Sequence, residues 1–307
     1  MNTSIIPEST NHWLSLRKDV LTSTEIPALF SASKYVTKFE LHFKKLNKTD
    51  SDYVDNDRVV WGTRLENSIA EGLAIDNKWN IRKVKEFIFN KNTRIGSSFD
   101  YMILDDNLKD YALLEIKNVD GLIFKNEWSV HDELDIEPPL YIELQLQHQM
   151  HISGVHLGFF GVLIGGNKTA VIRREYNSQI GSLIDKLAKE FWYNVDNNIT
   201  PSPDFHKDAE FIKSLYQNVH GHKVIEADSS IDQLAEKYKI ISEKIKELEE
   251  NKEATKAELL TLIRDAEKVK GNGYTISAGI TAESQVSFTR KSFRNFRINY
   301  TKQKDNQ

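Results

Sequence analysis

Three residues in one short stretch have the types and spacing for chemistry on a charged group: Asp100, Glu115 and Lys117, within RIGSSFDYMILDDNLKDYALLEIKN from Arg94 to Asn118. The stretch reads as two strands joined by a polar turn at Asp105 to Asp110, because Ile, Met, Leu, Phe and Tyr alternate on either side of it. Neighbours on a strand point to opposite faces, so Glu115 and Lys117 project together while Leu114 and Ile116 face a core. Asp100 ends the Gly96-Ser97-Ser98 approach and begins the first strand, and pairing of the strands brings its carboxylate beside Glu115. Two hard oxygen ligands side by side, with positions left for water and phosphate, suit Mg²⁺. The adjacent lysine can hold or polarise an attacking water and offset the charge on a phosphate in flight.

An Asp followed about fifteen residues later by Glu-x-Lys resembles the PD-(D/E)xK nuclease signature, with Phe99 where that family often has proline. Glu-x-Lys also occurs by chance in charged proteins, and a solvated strand face is the alternative. An apolar strand that carries a charged pair on one face needs a reason, which favours the metal site.

Composition bounds the rest. With 307 residues, 39% hydrophobic and 28% charged, the chain is ordinary globular material, large enough for one core domain and an appendage. The absence of Cys removes disulfides, zinc fingers and iron–sulfur clusters, and fits a reducing interior. No signal peptide is recognisable, and the longest apolar run, Val155 to Gly165, is too short to span a bilayer. A cytoplasmic protein is therefore expected. A net charge of −4 argues against a surface coated for nucleic acid, though not against a local basic channel.

The elements that must position the three residues follow in order. Arg17 and Lys18 precede Thr22, Ser23 and Thr24, which are N-cap candidates for a helix entering at Ile26-Pro27. Hydroxyls and an arginine at a helix N-terminus suit a phosphate, and plain capping is the alternative. A helix from Lys38 to Leu46 gives way to a polar loop from Thr49 to Arg58. Leu65, Ile69 and Leu73 then recur at helical spacing, with Glu66 at the edge of the stripe. Glu66 can lean towards the hairpin or stay on the surface with an i,i+4 neighbour. A short strand is expected from Glu86 to Asn90. Pro138-Pro139 start a helix that Gly154 closes, and Gln145 falls one turn after Tyr141 and one before Gln149. That row of amides could face DNA, although dense glutamines are usually just solvated. Gly165-Gly166-Asn167 signals a hairpin between Val155–Ile164 and Ala170–Arg174. A helix from Ser178 to Val195, apolar at Ile180, Ile184, Leu187 and Phe191, completes a mixed α/β domain.

The division expected is residues 1–200 as this domain, 201–227 as a linker opened by TPSPDF, and 228–307 as a C-terminal arm. In the arm, Ile231, Leu234, Tyr238, Ile241, Ile245 and Leu248 keep an a/d rhythm that resumes at Leu259, Leu262 and Val269. Lys252 and Thr255 interrupt it without shifting phase, so one long helix is favoured over a hairpin turning near Asn251. Two strand-like pieces end the chain, Gly273 to Ile280 and Ser284 to Tyr300. The second interleaves Phe288, Phe293, Phe296 and Tyr300 with Arg290, Lys291, Arg294 and Arg297, and either tracks a nucleic-acid backbone or packs on the long helix.

Five blocks line up with one family. W-x-x-L-R at Trp13 to Arg17 with L-T-S-T following, W-G-x-x-x-E-N at Trp61 to Asn67, S-F-D at Ser98 to Asp100, L-E-I-K at Leu114 to Lys117 and Q-L-Q at Gln145 to Gln147 resemble the lambda-type phage exonucleases, grouped with the YqaJ-like viral recombinases. The resemblance spans about Trp13 to Val195. It implies a restriction-endonuclease-like α/β (α+β) core, with a mixed central sheet flanked by helices and a C-terminal helical and β appendage. It further implies that Asp100, Glu115 and the Ile116 carbonyl ligate Mg²⁺, with Mn²⁺ as a substitute, and that Lys117 positions the water. Glu66 would stand near a second metal through water, Gln145 would support the site, and Arg17, Thr24 and Ser98 would hold a 5′-phosphate. Phe99 for proline and Thr24 for serine are the departures.

The function so implied is a Mg²⁺-dependent 5′ to 3′ exonuclease on ends of linear double-stranded DNA. It would leave 3′ single strands for a single-strand annealing protein in phage recombination, as a ring trimer in the cytoplasm of a bacterial host. A restriction-type endonuclease on the same core and a non-catalytic DNA-end-binding module are the alternatives. The intact Asp, Glu-x-Lys set speaks against the module, which has no need of a costly carboxylate cluster.

Overall fold

The computed structural model describes residues 2–47, 57–104, 111–131, 135–219, 221, 223–290 and 293–300. They divide into two units, Met1–Ile212 and Lys213–Gln307.

The first unit runs β1 (Asn2–Ile5), α1 (Thr10–Lys18), β2 (Leu21–Thr22), α2 (Ile26–Leu29), α3 (Lys38–Leu46), α4 (Asp57–Asn77), β3 (Ile81–Lys83), β4 (Phe87–Asn90), β5 (Ile95–Ser97), β6 (Tyr101–Ile103) and β7 (Ala112–Val119). It continues with α5 (Gly121–Glu127), β8 (Ser129–Val130), β9 (Ile136–Glu137), α6 (Leu140–Ser153), β10 (Leu157–Ile164), β11 (Lys168–Glu175) and α7 (Ser178–Asp196), and α8 (Ala209–Leu215) crosses into the second unit. The expected mixed α/β architecture is present. The central sheet has the order β11-β10-β7-β6-β3, parallel between β10 and β7 and antiparallel elsewhere. A second sheet has the order β1-β4-β5-β2.

β7 is apolar for most of its length and buried on both faces, as a strand in mid-sheet must be. Ala112, Leu114 and Ile116 meet Ile69, Ala70 and Leu73 of α4 on one face. Leu113, on the other face, joins the core around Ile142, Leu146 and Met150 of α6. Gly161 lets α4 lie this close, since a Cβ there would stand 2.5 Å from a Leu73 methyl. α6 ends at Gly154, whose φ of 75° puts it in the left-handed region that glycine tolerates.

Several sequence expectations need correction. Arg94 to Ile103 is two strands in two sheets, β5 and β6, with Ser98 to Asp100 crossing between them. The turn at Asp105 to Asp110 lies outside the described residues, as does most of the loop after Thr49, whose last residues Asp57 and Arg58 already belong to α4. Glu25, not Thr22, Ser23 or Thr24, stands at the N-cap of α2, and it makes no side-chain cap bond. Its carboxylate instead accepts the Thr22 N–H at 2.8 Å and the Thr22 hydroxyl at 2.9 Å. Gln147 and Gln149 are buried, because α6 is apolar nearly all round and leaves its polar side chains no route to water.

Within the segment expected as linker, Asp208 is buried and accepts from Thr37 Oγ1, and Phe211 meets Phe39 and Phe43 with ring centroids 6.0 Å apart. A fragment ending at Ile212 keeps these contacts and one ending at Asn198 loses them. The longer fragment is therefore expected to melt higher by about 2–8 °C, the shift that about 1–2 kcal/mol of lost buried contacts produces. Differential scanning calorimetry checks this, and equal melting temperatures would show Asp208 and Phe211 to be irrelevant to the core.

In the second unit α9 (Ser229–Ile263) is one continuous helix, followed by the antiparallel pair β12 (Lys268–Lys270) and β13 (Thr275–Ser277). The expected strand from Ser284 to Tyr300 is absent among the described residues, which exclude Lys291. Of its aromatics, those at 288, 296 and 300 would share one face of a strand and that at 293 would fall on the other. Phe296 packs edge-on against Tyr238, with centroids 5.7 Å apart, and Tyr300 donates its hydroxyl to the Ala235 carbonyl at 2.8 Å. Among the described residues no helix is long and apolar enough to cross a membrane.

Candidate active site

The antiparallel register pairs Tyr101 with Leu114, so Asp100, one residue earlier, falls opposite Glu115. Asp100 Oδ2 accepts the Ile116 N–H at 2.8 Å. Glu115 is buried and held from three sides. Its Oε1 accepts from Lys117 Nζ at 2.8 Å and from Gln145 Nε2, and its Oε2 accepts from Gln149 Nε2 at 2.8 Å. Lys117 Nζ also donates to Gln145 Oε1 at 2.9 Å. The amide row on α6 thus faces the carboxylates, because consecutive turns of a helix laid along β7 present 145 and 149 to one side.

Burial first, and the Glu115 charge next, hold the Asp100 carboxyl well above the usual carboxylate range, although Lys117 and the Ile116 N–H pull the other way. Burial alone would lower Lys117, but Glu115 and Asp100 outweigh it and raise the ammonium above its ordinary value. Two adjacent carboxylates, Glu115 buried and Asp100 half-buried, with one ammonium leave negative charge that a cation would relieve. The two carboxylates are hard oxygen donors of the kind a divalent ion takes. Among the described residues no three His, Cys, Asp or Glu side chains cluster, so water and substrate oxygens would complete the coordination.

Glu66 pairs with Lys83 at 3.0 Å, and its charge is felt at Asp100. Burial lowers Lys83, but the hydrogen bond and charge of Glu66 more than reverse it. The remaining expected residues do come together. Trp13 Nε1 donates to Ser98 Oγ at 2.8 Å, the Arg17 guanidinium lies 4.5 Å from the centre of the Trp13 ring, and Arg17 Nη2 donates to Thr24 Oγ1 at 3.4 Å. The Ser98 carbonyl accepts from Gln149 Nε2 at 3.3 Å, which connects this group to Glu115.

Sequence reasoning missed three contributors. Trp13 stands one turn before Arg17, the spacing at which helical side chains meet, and that was the available signal. Gln149 was visible only as one of a row of amides facing DNA or water. Lys45 is buried, donating to the Arg17 and Val20 carbonyls at 2.9 and 2.7 Å and pairing with Glu25 at 2.9 Å, and nothing in its surroundings in the sequence marks it. Beside Lys117 and Gln145 opens a cavity of about 760 Å³, lined also by Thr24, Tyr35, Trp61 and Tyr141.

Behind the site, His148 is buried with neither ring nitrogen hydrogen-bonded among the described residues. Burial, helped by His151, pushes its pKa from 6.5 down to about 3. The unfolded chain takes up this proton near pH 6.5 and the folded chain does not, so stability present above that pH is lost as pH falls towards about 3. The loss is up to about 1.4 kcal/mol per pH unit. Melting temperature should fall between pH 6.5 and pH 4, and His148→Met should flatten that fall; an unchanged slope in the variant would assign the acid sensitivity elsewhere.

The Asp and Glu-x-Lys set, on paired strands of a mixed sheet, has the order and spacing of the PD-(D/E)xK nuclease signature. Residues 12–156 match the YqaJ-like viral recombinase domain. The uncharacterized protein YqaJ of Bacillus subtilis (strain 168) is 25% identical over 264 residues, covering 84% of this chain and 80% of that one. Among solved structures, the alkaline exonuclease of Laribacter hongkongensis is 17% identical, overlapping 66% of this chain and 100% of that one with a TM-score of 0.47. A phage related exonuclease from Haemophilus somnus 129PT is 10% identical, overlapping 59% and 95% with a TM-score of 0.43. Family and site together support a DNA nuclease.

Proposed function

We propose that this protein is a Mg²⁺-dependent 5′ to 3′ exonuclease that digests one strand of linear double-stranded DNA and leaves 3′ overhangs for strand annealing. The observation that carries the reading is a chain of contacts in which Thr24 bonds Arg17, Arg17 lies over the Trp13 ring, and Trp13 connects through Ser98 and Gln149 to Glu115 by hydrogen bonds, which ties a candidate anion pocket to a candidate metal pair. Asp100, Glu115 and the Ile116 carbonyl would hold the ion, and Mn²⁺ would substitute. When bound, Mg²⁺ supplies Lewis-acid polarisation of the scissile phosphate.

The chain's own residues do the rest. Lys117, kept charged, holds the attacking water and faces the charge that builds on the phosphate. Gln145 and Gln149 fix the Glu115 carboxylate so that its oxygens point one way. Glu66, now paired with Lys83, would exchange that partner to reach a second ion through water. Arg17, Thr24 and Ser98 grip the terminal phosphate and set how far the strand enters. By resemblance the assembly is a ring trimer that hands its product to a single-strand annealing protein, in the cytoplasm of a bacterium carrying the phage or prophage. The proposed division is a nuclease core followed by a separate C-terminal arm.

Incubating purified protein and Mg²⁺ with linear and closed circular forms of one plasmid tests this. Loss of the linear form alone is expected. Cutting of the circle would replace the exonuclease with an endonuclease, and binding of both forms without degradation would leave only an end-binding module.

A further inference from the structure

We infer that α9 pairs with α9 of a second copy of this chain, parallel and in register, as a two-stranded coiled coil. The inference is independent of the nuclease reading; in a ring trimer the second copy would belong to another ring, since three arms cannot pair two by two within one. Of the 35 residues of α9 none is buried, and its apolar heptad positions are 41–78% exposed. An isolated helix whose apolar side chains face water gains little beyond its backbone hydrogen bonds, and pairing is what normally stabilises one this long.

The pattern identifies the occupant. Positions a are Ile231, Tyr238, Ile245, Lys252 and Leu259. Positions d are Leu234, Ile241, Leu248, Thr255 and Leu262. The spacing keeps strict phase over five heptads, which winds two helices about a shared seam. Isoleucine at a with leucine at d, as at 231/234 and 245/248, favours two strands.

Lys252 and Thr255 fix the alignment. Parallel in-register pairing sets each against itself, where the lysine stem can lie along the seam and carry its ammonium to solvent. A slip of one heptad sets Lys252 against Ile245 or Leu259. The antiparallel alignment that matches helix ends sets Lys252 against Ile241 and Thr255 against Tyr238. Among alignments that overlap the helices over their full length, the in-register parallel pair is the one that keeps the polar layers together.

Flanking charges agree. In a parallel pair each g position faces the e position five residues on in the partner, so Lys244 meets the second copy's Glu249, twice by symmetry. The other such pairs are Ser230 with Ala235, Lys237 with Ser242, Asn251 with Lys256 and Glu258 with Ile263, and none joins like charges. The chain's own tail meets the seam at Tyr238 and leaves its C-terminal half open. Phe296 and Tyr300 reach Ala235, Tyr238 and Lys239, and Leu248 and Leu262 remain 67% and 78% exposed.

The chain has no cysteine, so single introduced thiols report position without background. Full-length protein carrying Leu248→Cys is expected to form a disulfide-linked pair in a reduced/oxidised glutathione buffer, while Glu250→Cys, on the outer face, is not. Position specificity separates this pairing from any association through the first unit. Cross-linking of a mixture of Leu248→Cys and Ile245→Cys chains in preference to Leu248→Cys alone would show an antiparallel pair and overturn the inference. Absence of linkage at 248, with the seam covered by the chain's own tail or another protein, would overturn it equally. All three substitutions lie on an exposed helix surface, so the fold is not at risk from any of them.

Discussion

Asp100→Asn and Lys117→Ala should each lower the rate of DNA hydrolysis by at least about a hundredfold, the usual consequence of removing one preorganised group from a charged transition state. Binding of DNA ends in Ca²⁺ should persist in both, since Ca²⁺ tolerates looser coordination and does not hold water and phosphate in line. The two variants should part company in stability. Asp100 is held above the carboxylate range in the folded chain by burial and by Glu115, so what it contributes to folding is present while it is protonated and erodes as pH rises. At pH 8 without added metal Asp100→Asn removes that repulsion and should melt at or above the wild-type temperature. Lys117→Ala removes the ammonium that donates to Glu115 and should melt below it. Mg²⁺ should raise the melting temperature of the wild type and not of Asp100→Asn. Hydrolysis at the wild-type rate by either purified variant would remove the site from Asp100, Glu115 and Lys117.

How much of this was legible in the sequence depended on whether the signal was periodic. Glu115 and Lys117 alternate with Leu114 and Ile116, so their shared face follows from strand geometry, and the a/d spacing from Ile231 to Leu262 gave one helix for the same reason. The split between β5 and β6 left no such mark. Ser98 to Asp100 joins strands of two sheets without a glycine or proline at the crossing, and a contiguous apolar run conceals a change of sheet. Burial of polar residues was equally hidden. Gln149 and Lys45 are polar by type, and only the positions of Glu115 and Glu25, distant in sequence, show why each is inside. The convergence of Arg17, Thr24 and Ser98 could be expected only through the family resemblance, because their meeting depends on Trp13 bridging 85 residues to Ser98.

Arg17→Ala should digest 5′-phosphorylated duplex more than tenfold more slowly than wild type, and wild type should prefer phosphorylated over 5′-hydroxyl ends where the variant does not. An enzyme that begins at an end and steps inward needs a feature that each cut renews, and cleavage leaving a 5′-phosphate on the shortened strand provides it. The Arg17 fork can take two oxygens of a terminal dianion, with Thr24 and Ser98 hydroxyls as further donors, whereas an internal phosphodiester offers one charge. Stacking on Trp13 holds the guanidinium in place beforehand, so little side-chain freedom remains to be lost on binding. Removing one member of such a charge-assisted contact usually costs about 2–5 kcal/mol. Arg17→Lys tests whether the fork matters: a lysine retains the charge but neither the bidentate grip nor the flat stack on Trp13, and should restore only part of the preference. Equal wild-type rates on both kinds of end would remove the phosphate pocket itself. A preference retained in Arg17→Ala would leave the pocket to Thr24 and Ser98 and reduce Arg17 to a partner of the Trp13 ring.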